Sequence, residues 1–69
     1  MKLYKAVDEL DGEPSMFLVY DNGEVAVSAW GPYSDGEKAR CARRLQGMYL
    51  RDSSERFKDA IDPVLIAEW

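Results

Sequence analysis

Met16-Phe17-Leu18-Val19-Tyr20-Asp21-Asn22-Gly23-Glu24-Val25-Ala26-Val27-Ser28-Ala29-Trp30 is the stretch that decides how this chain folds. Two β-prone runs flank Asn22-Gly23, and Asn-Gly in that setting favours a two-residue type I′ hairpin in which both central residues take positive φ. With Asn22 and Gly23 as the loop, Asp21 faces Glu24, Tyr20 faces Val25, Leu18 faces Val27 and Met16 faces Ala29. Side chains alternate along a strand, so these pairs make one uninterrupted apolar face, the expected core. The other face pairs Val19 with Ala26, Phe17 with Ser28 and Ser15 with Trp30. It too is partly apolar, and such a face is either covered by a second layer or left as an exposed patch. A chain of 69 residues has little left for a second layer, which points to a patch.

Working outward, Lys2–Glu9 alternates as a first strand, with Leu3, Lys5 and Val7 on one side and Tyr4 and Ala6 on the other. Asp11-Gly12 and Pro14-Ser15 punctuate the loop after it. Beyond Gly31-Pro32, Ser34-Asp35-Gly36-Glu37 reads as a capping box that starts a helix over about 35–50. Ala42, Leu45, Met48 and Tyr49 form its apolar stripe with Cys41 beside it as a small buried hydrophobe. Arg40, Arg44 and Arg51 share another face, with Arg43 adjoining. Asp52-Ser53-Ser54 caps a shorter helix whose stripe is Phe57, Ala60 and Ile61, and Asp62-Pro63 closes it. Val64–Ala67 is a short apolar run that predicts a buried last strand beside the first. The chain is thus expected to be one α+β domain over 1–69, in the order β-β-β-α-α-β. Its antiparallel sheet has three N-terminal strands and a C-terminal one, with one long and one short helix packed on one face.

Composition narrows the chemistry. The chain has no histidine and a single cysteine, Cys41. Histidine-based nucleophilic pairs, an intramolecular disulfide and cysteine metal clusters are therefore excluded. No glycine-rich phosphate loop is present, and Asp8, Glu9, Asp11 and Glu13 lack the spacing of a calcium loop. A domain this small buries only about 60% of its unfolded surface and offers no deep pocket. The expectation is a protein that is not an enzyme, with no catalytic residues, no metal and no cofactor. No run approaches the roughly 20 apolar residues of a membrane span. Asp8 and Glu9 follow the N-terminus too closely for a signal peptide, so the expected location is the cytoplasm.

Charge is sorted along the chain. Residues 1–37 carry a net −6, residues 38–58 a net +5, and the last eleven a net −3, for −4 in all. Surfaces of opposite sign are suited to contact with macromolecules. The leading expectation is that Asp11, Glu13, Asp21 and Glu24, with the aromatic face of Tyr4, Phe17 and Trp30, bind a host protein complex. Carboxylates spaced along a strand and turn suit a basic groove that otherwise grips phosphates. The alternative is that Arg40, Arg43, Arg44 and Arg51 contact nucleic-acid phosphates or an acidic patch on a protein, although the net charge opposes a polyanion. A homodimer through the second sheet face or Val64–Ala67 is a third expectation.

Two resemblances accompany these readings. Ala29-Trp30-Gly31-Pro32-Tyr33-Ser34-Asp35-Gly36-Glu37-Lys38-Ala39 resembles the strand-to-helix turn of sporulation-related repeat domains, which bind peptidoglycan; the β-β-β order ahead of it does not match that family. In type, without a shared motif, a compact acidic chain of this kind resembles small bacteriophage accessory proteins, including anti-CRISPR proteins and inhibitors of host polymerases and nucleases. That likeness implies occupation of a surface on a host complex, in the bacterial cytoplasm.

Overall fold

The Asn-Gly turn forms with one more residue in its loop than a type I′ hairpin has. The computed structural model describes residues 1–45 and 52–69. Tyr20 N donates to Glu24 O at 2.9 Å and Gly23 N to Tyr20 O at 3.0 Å, so Asp21, Asn22 and Gly23 are the loop. Of the three only Gly23 has positive φ, at 90°. The turn is therefore a type I turn ending in a left-handed glycine. Asn22 Oδ1 accepts from Glu24 N at 3.0 Å. That local bond satisfies the turn without sending Asn22 into the left-handed region. Pairing moves by one residue in consequence: Val19 faces Val25, Leu18 faces Ala26, Phe17 faces Val27, Met16 faces Ser28 and Ser15 faces Ala29. A slip of one residue moves a strand's whole apolar set to the other face. Val25 and Val27 thus join Phe17 instead of Leu18.

The strands are β1 (Lys2–Val7), β2 (Pro14–Val19), β3 (Val25–Ala29) and β4 (Ile61–Glu68); the helices are α1 (Asp35–Arg44) and α2 (Ser53–Asp59). All strand pairs are antiparallel, in the order β3-β2-β1-β4. The α+β class, the β-β-β-α-α-β order and the return of the last strand beside the first are as the sequence predicts. The helices, however, do not share a face. Leu3, Met16, Leu18 and Ala26 pack with Ala39 and Ala42 of α1. Ala6, Phe17, Val25 and Val27 pack on the other side, under Phe57 and Ala60. The changed register makes this second apolar face too continuous to leave open, and the short helix covers it. The expected exposed patch is thereby a second small core.

The capping box of α1 is complete. Glu37 N donates to Ser34 Oγ at 3.4 Å, and Ser34 N donates to the Glu37 carboxylate at 3.0 Å. α1 closes at Leu45, whose N donates to Cys41 O at 2.9 Å. The expected continuation to Leu50, with Met48 and Tyr49 in the stripe, lies outside the described residues. α2 starts differently from its expectation: Asp52 sits at φ 57° and makes no side-chain cap bond. α2 ends at Asp59, and Asp62-Pro63 falls inside β4. There Asp62 has φ 52° and the register with β1 shifts. A bulge on an edge strand is where proline, which has no N–H to donate, is tolerated. Edge placement also explains why Ile61, Val64 and Leu65 are about half exposed and not buried as expected.

Gly23 and Gly36 give oppositely signed tests of this backbone. Gly23→Ala forces a side chain into the left-handed region and is expected to cost about 1 kcal/mol. Gly36 has ordinary φ and open space where a Cβ would sit. Gly36→Ala is expected to stabilise by about 0.5–1 kcal/mol, both changes being read from urea unfolding midpoints.

Candidate functional site

β1 runs out at Val7, and the next residue, Asp8, is only 1% exposed. Its backbone N donates to Glu13 O at 2.9 Å and its carbonyl accepts from Gly12 N at 2.8 Å, closing the loop between β1 and β2. Its carboxylate accepts from Leu10 N at 3.1 Å and from Arg56 Nε at 2.9 Å, and Arg56 Nη2 donates to the same oxygen as Nε. Asp11 adds a local turn by accepting from Glu13 N at 2.9 Å. The loop is thus held rigid and clamped to α2.

Around this clamp the exposed carboxylates gather. Glu9, Asp11 and Glu13 come from the loop, and Asp52, Glu55 and Asp59 from the start and one stripe of α2. Glu9, Leu10, Asp52, Glu55 and Asp59 line a concavity of about 470 Å³, with the Asp8–Arg56 pair beneath it. Leu10 stands 76% exposed among them. Among the described residues the arginine at this end, Arg56, is already engaged by Asp8, and α2's other base, Lys58, is exposed on the same helix.

Asp21 and Glu24 do not belong to this group. β2 lies between the two loops, and six residues at about 3.3 Å each put the hairpin tip about 20 Å from Asp11 and Glu13. Asp21 has its own partner: it accepts from the Met1 ammonium at 2.7 Å, which also donates to Trp69 O at 2.9 Å. That hydrogen bond, with the ammonium charge and a smaller contribution from Lys2, holds the Asp21 carboxyl below its ordinary value.

The aromatic face is corrected as well. Phe17 is 0% exposed, its ring 5.2 Å from that of Phe57. Tyr4 is half-buried against the same Phe57 ring at 5.0 Å. Trp30 lies with the other core, half-buried, with Lys38 Nζ 3.7 Å and Lys5 Nζ 5.1 Å from its ring centroid. These three residues are packing elements and present no common surface.

Arg40, Arg43 and Arg44 are exposed on α1, as expected, while Arg51 lies outside the described residues. Arg43 Cζ sits 4.7 Å from the centroid of the Trp69 ring. Cys41 is half-buried, not buried, because it lies at the edge of the stripe beside Arg40 and Arg44. Among the described residues no group of three or more potential ligands is placed to hold a metal ion, and no helix is long and apolar enough to cross a membrane.

The contribution of Asp52, Glu55 and Asp59 was absent from the sequence expectation. Glu55 and Asp59, four residues apart, share one helical stripe, with Asp52 just ahead of the helix, a legible signal. Which loop that stripe meets depends on α2 crossing to the second face, which local sequence does not encode. No family model matches the chain, and no curated protein or solved structure is significantly similar to it.

Two measurements test this geometry. Arg56→Met leaves the Asp8 carboxylate buried without a cation and is expected to cost about 3 kcal/mol in chemical unfolding, with Arg56→Lys losing less. Asp21 contributes stability above the ordinary carboxyl value of 3.8, and that contribution is lost as pH falls through its lower folded value. Asp21→Asn is therefore expected to flatten the loss of stability below about pH 4 in an acid titration of the unfolding midpoint.

Proposed function

We propose that the protein is a non-enzymatic binding module whose acidic end occupies a basic, nucleic-acid-binding surface on a larger protein complex. The observation that carries this reading is the grouping of Glu9, Asp52, Glu55 and Asp59 around exposed Leu10, with Asp11 and Glu13 lining a neighbouring concavity beside Arg56, on a frame held by Asp8 and Arg56. Fixed carboxylates suit arginine and lysine side chains that otherwise hold phosphates, because the two anions offer the same acceptor geometry. Complementary charge orients and speeds such docking, and an apolar anchor in its centre adds slow dissociation. Asp11 and Glu13 remain in the proposed contact; Asp21, Glu24 and the three aromatics give way to the carboxylates of α2. The finer proposal follows the likeness in type to small phage proteins: the complex is a bacterial nucleic-acid-handling defence system such as a CRISPR effector, inhibited in the host cytoplasm.

Capture of tagged protein from bacterial lysate, with and without nuclease, tests both levels. A stoichiometric protein complex that survives nuclease is expected. Glu9→Lys with Glu55→Lys should abolish its retention at an unchanged melting temperature; retention by that variant removes the acidic end from the contact.

A second reading rests on β4, whose exposed edge carries Ile61, Val64 and Leu65. Self-association there would cover that apolar row, although Pro63 and the bulge interrupt edge pairing. Light scattering across a concentration series separates a dimer from a monomer.

A further inference from the structure

The outer face of α1 carries a second, independent signal. Arg40 and Arg44, one helical turn apart, line a shallow concavity of about 180 Å³ with Tyr33, Glu37 and Cys41. Neither arginine forms an ion pair among the described residues, and the Glu37 carboxylate beside them already accepts from Ser34 N at 3.0 Å. Tyr33 is 52% exposed on this face. On the adjoining side Arg43 lies over Trp69, itself 38% exposed. Arginines without ion-pair partners, beside an exposed tyrosine ring, supply the two components that hold a flexible polynucleotide: guanidinium forks for phosphates and a ring face for an unstacked base.

We propose that this face binds single-stranded nucleic acid, with Arg40 and Arg44 on successive phosphates, Arg43 on a third and Tyr33 stacked against a base. A duplex keeps its bases stacked inside and offers Tyr33 nothing, so the aromatic component selects single strands. The net charge of −4 does not defeat the contact. α1 and α2 cover opposite faces of the sheet, and the molecule measures 18 Å along its shortest axis. α1 itself carries Lys38, Arg40, Arg43 and Arg44 against Asp35 and Glu37, a local net of +2, and charge on the far face is screened at physiological salt. The strand site is spatially separate from the acidic end and does not depend on the function proposed for it.

Fluorescence anisotropy of the full chain with labelled oligothymidylate, oligouridylate and a short duplex, over a salt series, tests the proposal. Single strands are expected to bind at low salt, the duplex more weakly, with a log–log salt slope of about −2 for three neutralised phosphates. Arg40→Ala with Arg44→Ala should weaken binding at least about tenfold and bring the slope to about −0.7, while the helix is retained because alanine favours it. Tyr33→Ala should weaken binding about tenfold with the slope unchanged, because stacking releases no counterions. Binding of either the deoxy or the ribo strand supports the site, and the tighter one identifies the sugar it takes. No binding of either at low salt overturns it, as does equal binding of the duplex or undiminished affinity of the double arginine variant. Glu9→Lys with Glu55→Lys leaves α1 intact, so loss of complex capture by that variant and loss of strand binding by the arginine variant are separate results.

Discussion

Asp8 and Arg56 stand 48 residues apart in the chain, and their ion pair is the joint on which the second half of the fold rests. α2 is only seven residues long, and a helix of two turns has little stability of its own in water. Tertiary contacts keep it in place. Phe57 lies against Phe17 and Tyr4, and Arg56 reaches the carboxylate at the end of β1. A buried carboxylate is expensive to desolvate unless its oxygens are bonded and its charge is met. Asp8 has both, from Leu10 N and from the guanidinium. A charge pair thereby secures hydrophobic burial: without α2 over them, Phe17, Val25 and Val27 would face solvent.

The same joint organises charge. Because Arg56 is consumed by Asp8, it leaves the exposed carboxylates of Glu9, Glu55 and Asp59 facing solvent together. α1, on the other side of the sheet, uses its cations differently. Lys38 is buried over Trp30 with Asp35 at 3.9 Å, whereas Arg40 and Arg44 point outward without such partners among the described residues. The four-stranded sheet therefore stands between α2 and α1, whose four bases outnumber Asp35 and Glu37. Screening over the thickness of the molecule keeps the attraction between these two surfaces weak.

Much of the fold was legible locally. Period-two alternation marked the strands, Ser34 and Glu37 marked the start of α1, and the apolar run at Val64–Ala67 marked part of the last strand, which is longer than that run and lies at an exposed edge and not in the core. The hairpin register was not legible in this way. Asn22-Gly23 suggests a two-residue loop, but Tyr20 N donates to Glu24 O and Glu24 N to Asn22 Oδ1, so Asp21 belongs to the loop as well. That single residue moved Val25 and Val27 across the sheet, completed an apolar face around Phe17, and drew α2 over it. Tyr4, Phe17 and Trp30 changed from a contact surface to core for the same reason. Of the candidate contacts, Asp11, Glu13, Arg40, Arg43 and Arg44 were readable as exposed charges, while the partnership of Asp11 and Glu13 with α2 was not.

By itself the sequence determined the class, the order of elements, the start of α1 and the absence of histidine chemistry, because these depend on residue identity and on periods of a few residues. Tertiary structure alone decided the register of the hairpin, the face each helix covers, and which charges stand together. Those depend on energies that exist only between distant segments: a carboxylate meeting a guanidinium 48 residues away, and an apolar face that acquires its need for cover only after three strands have paired.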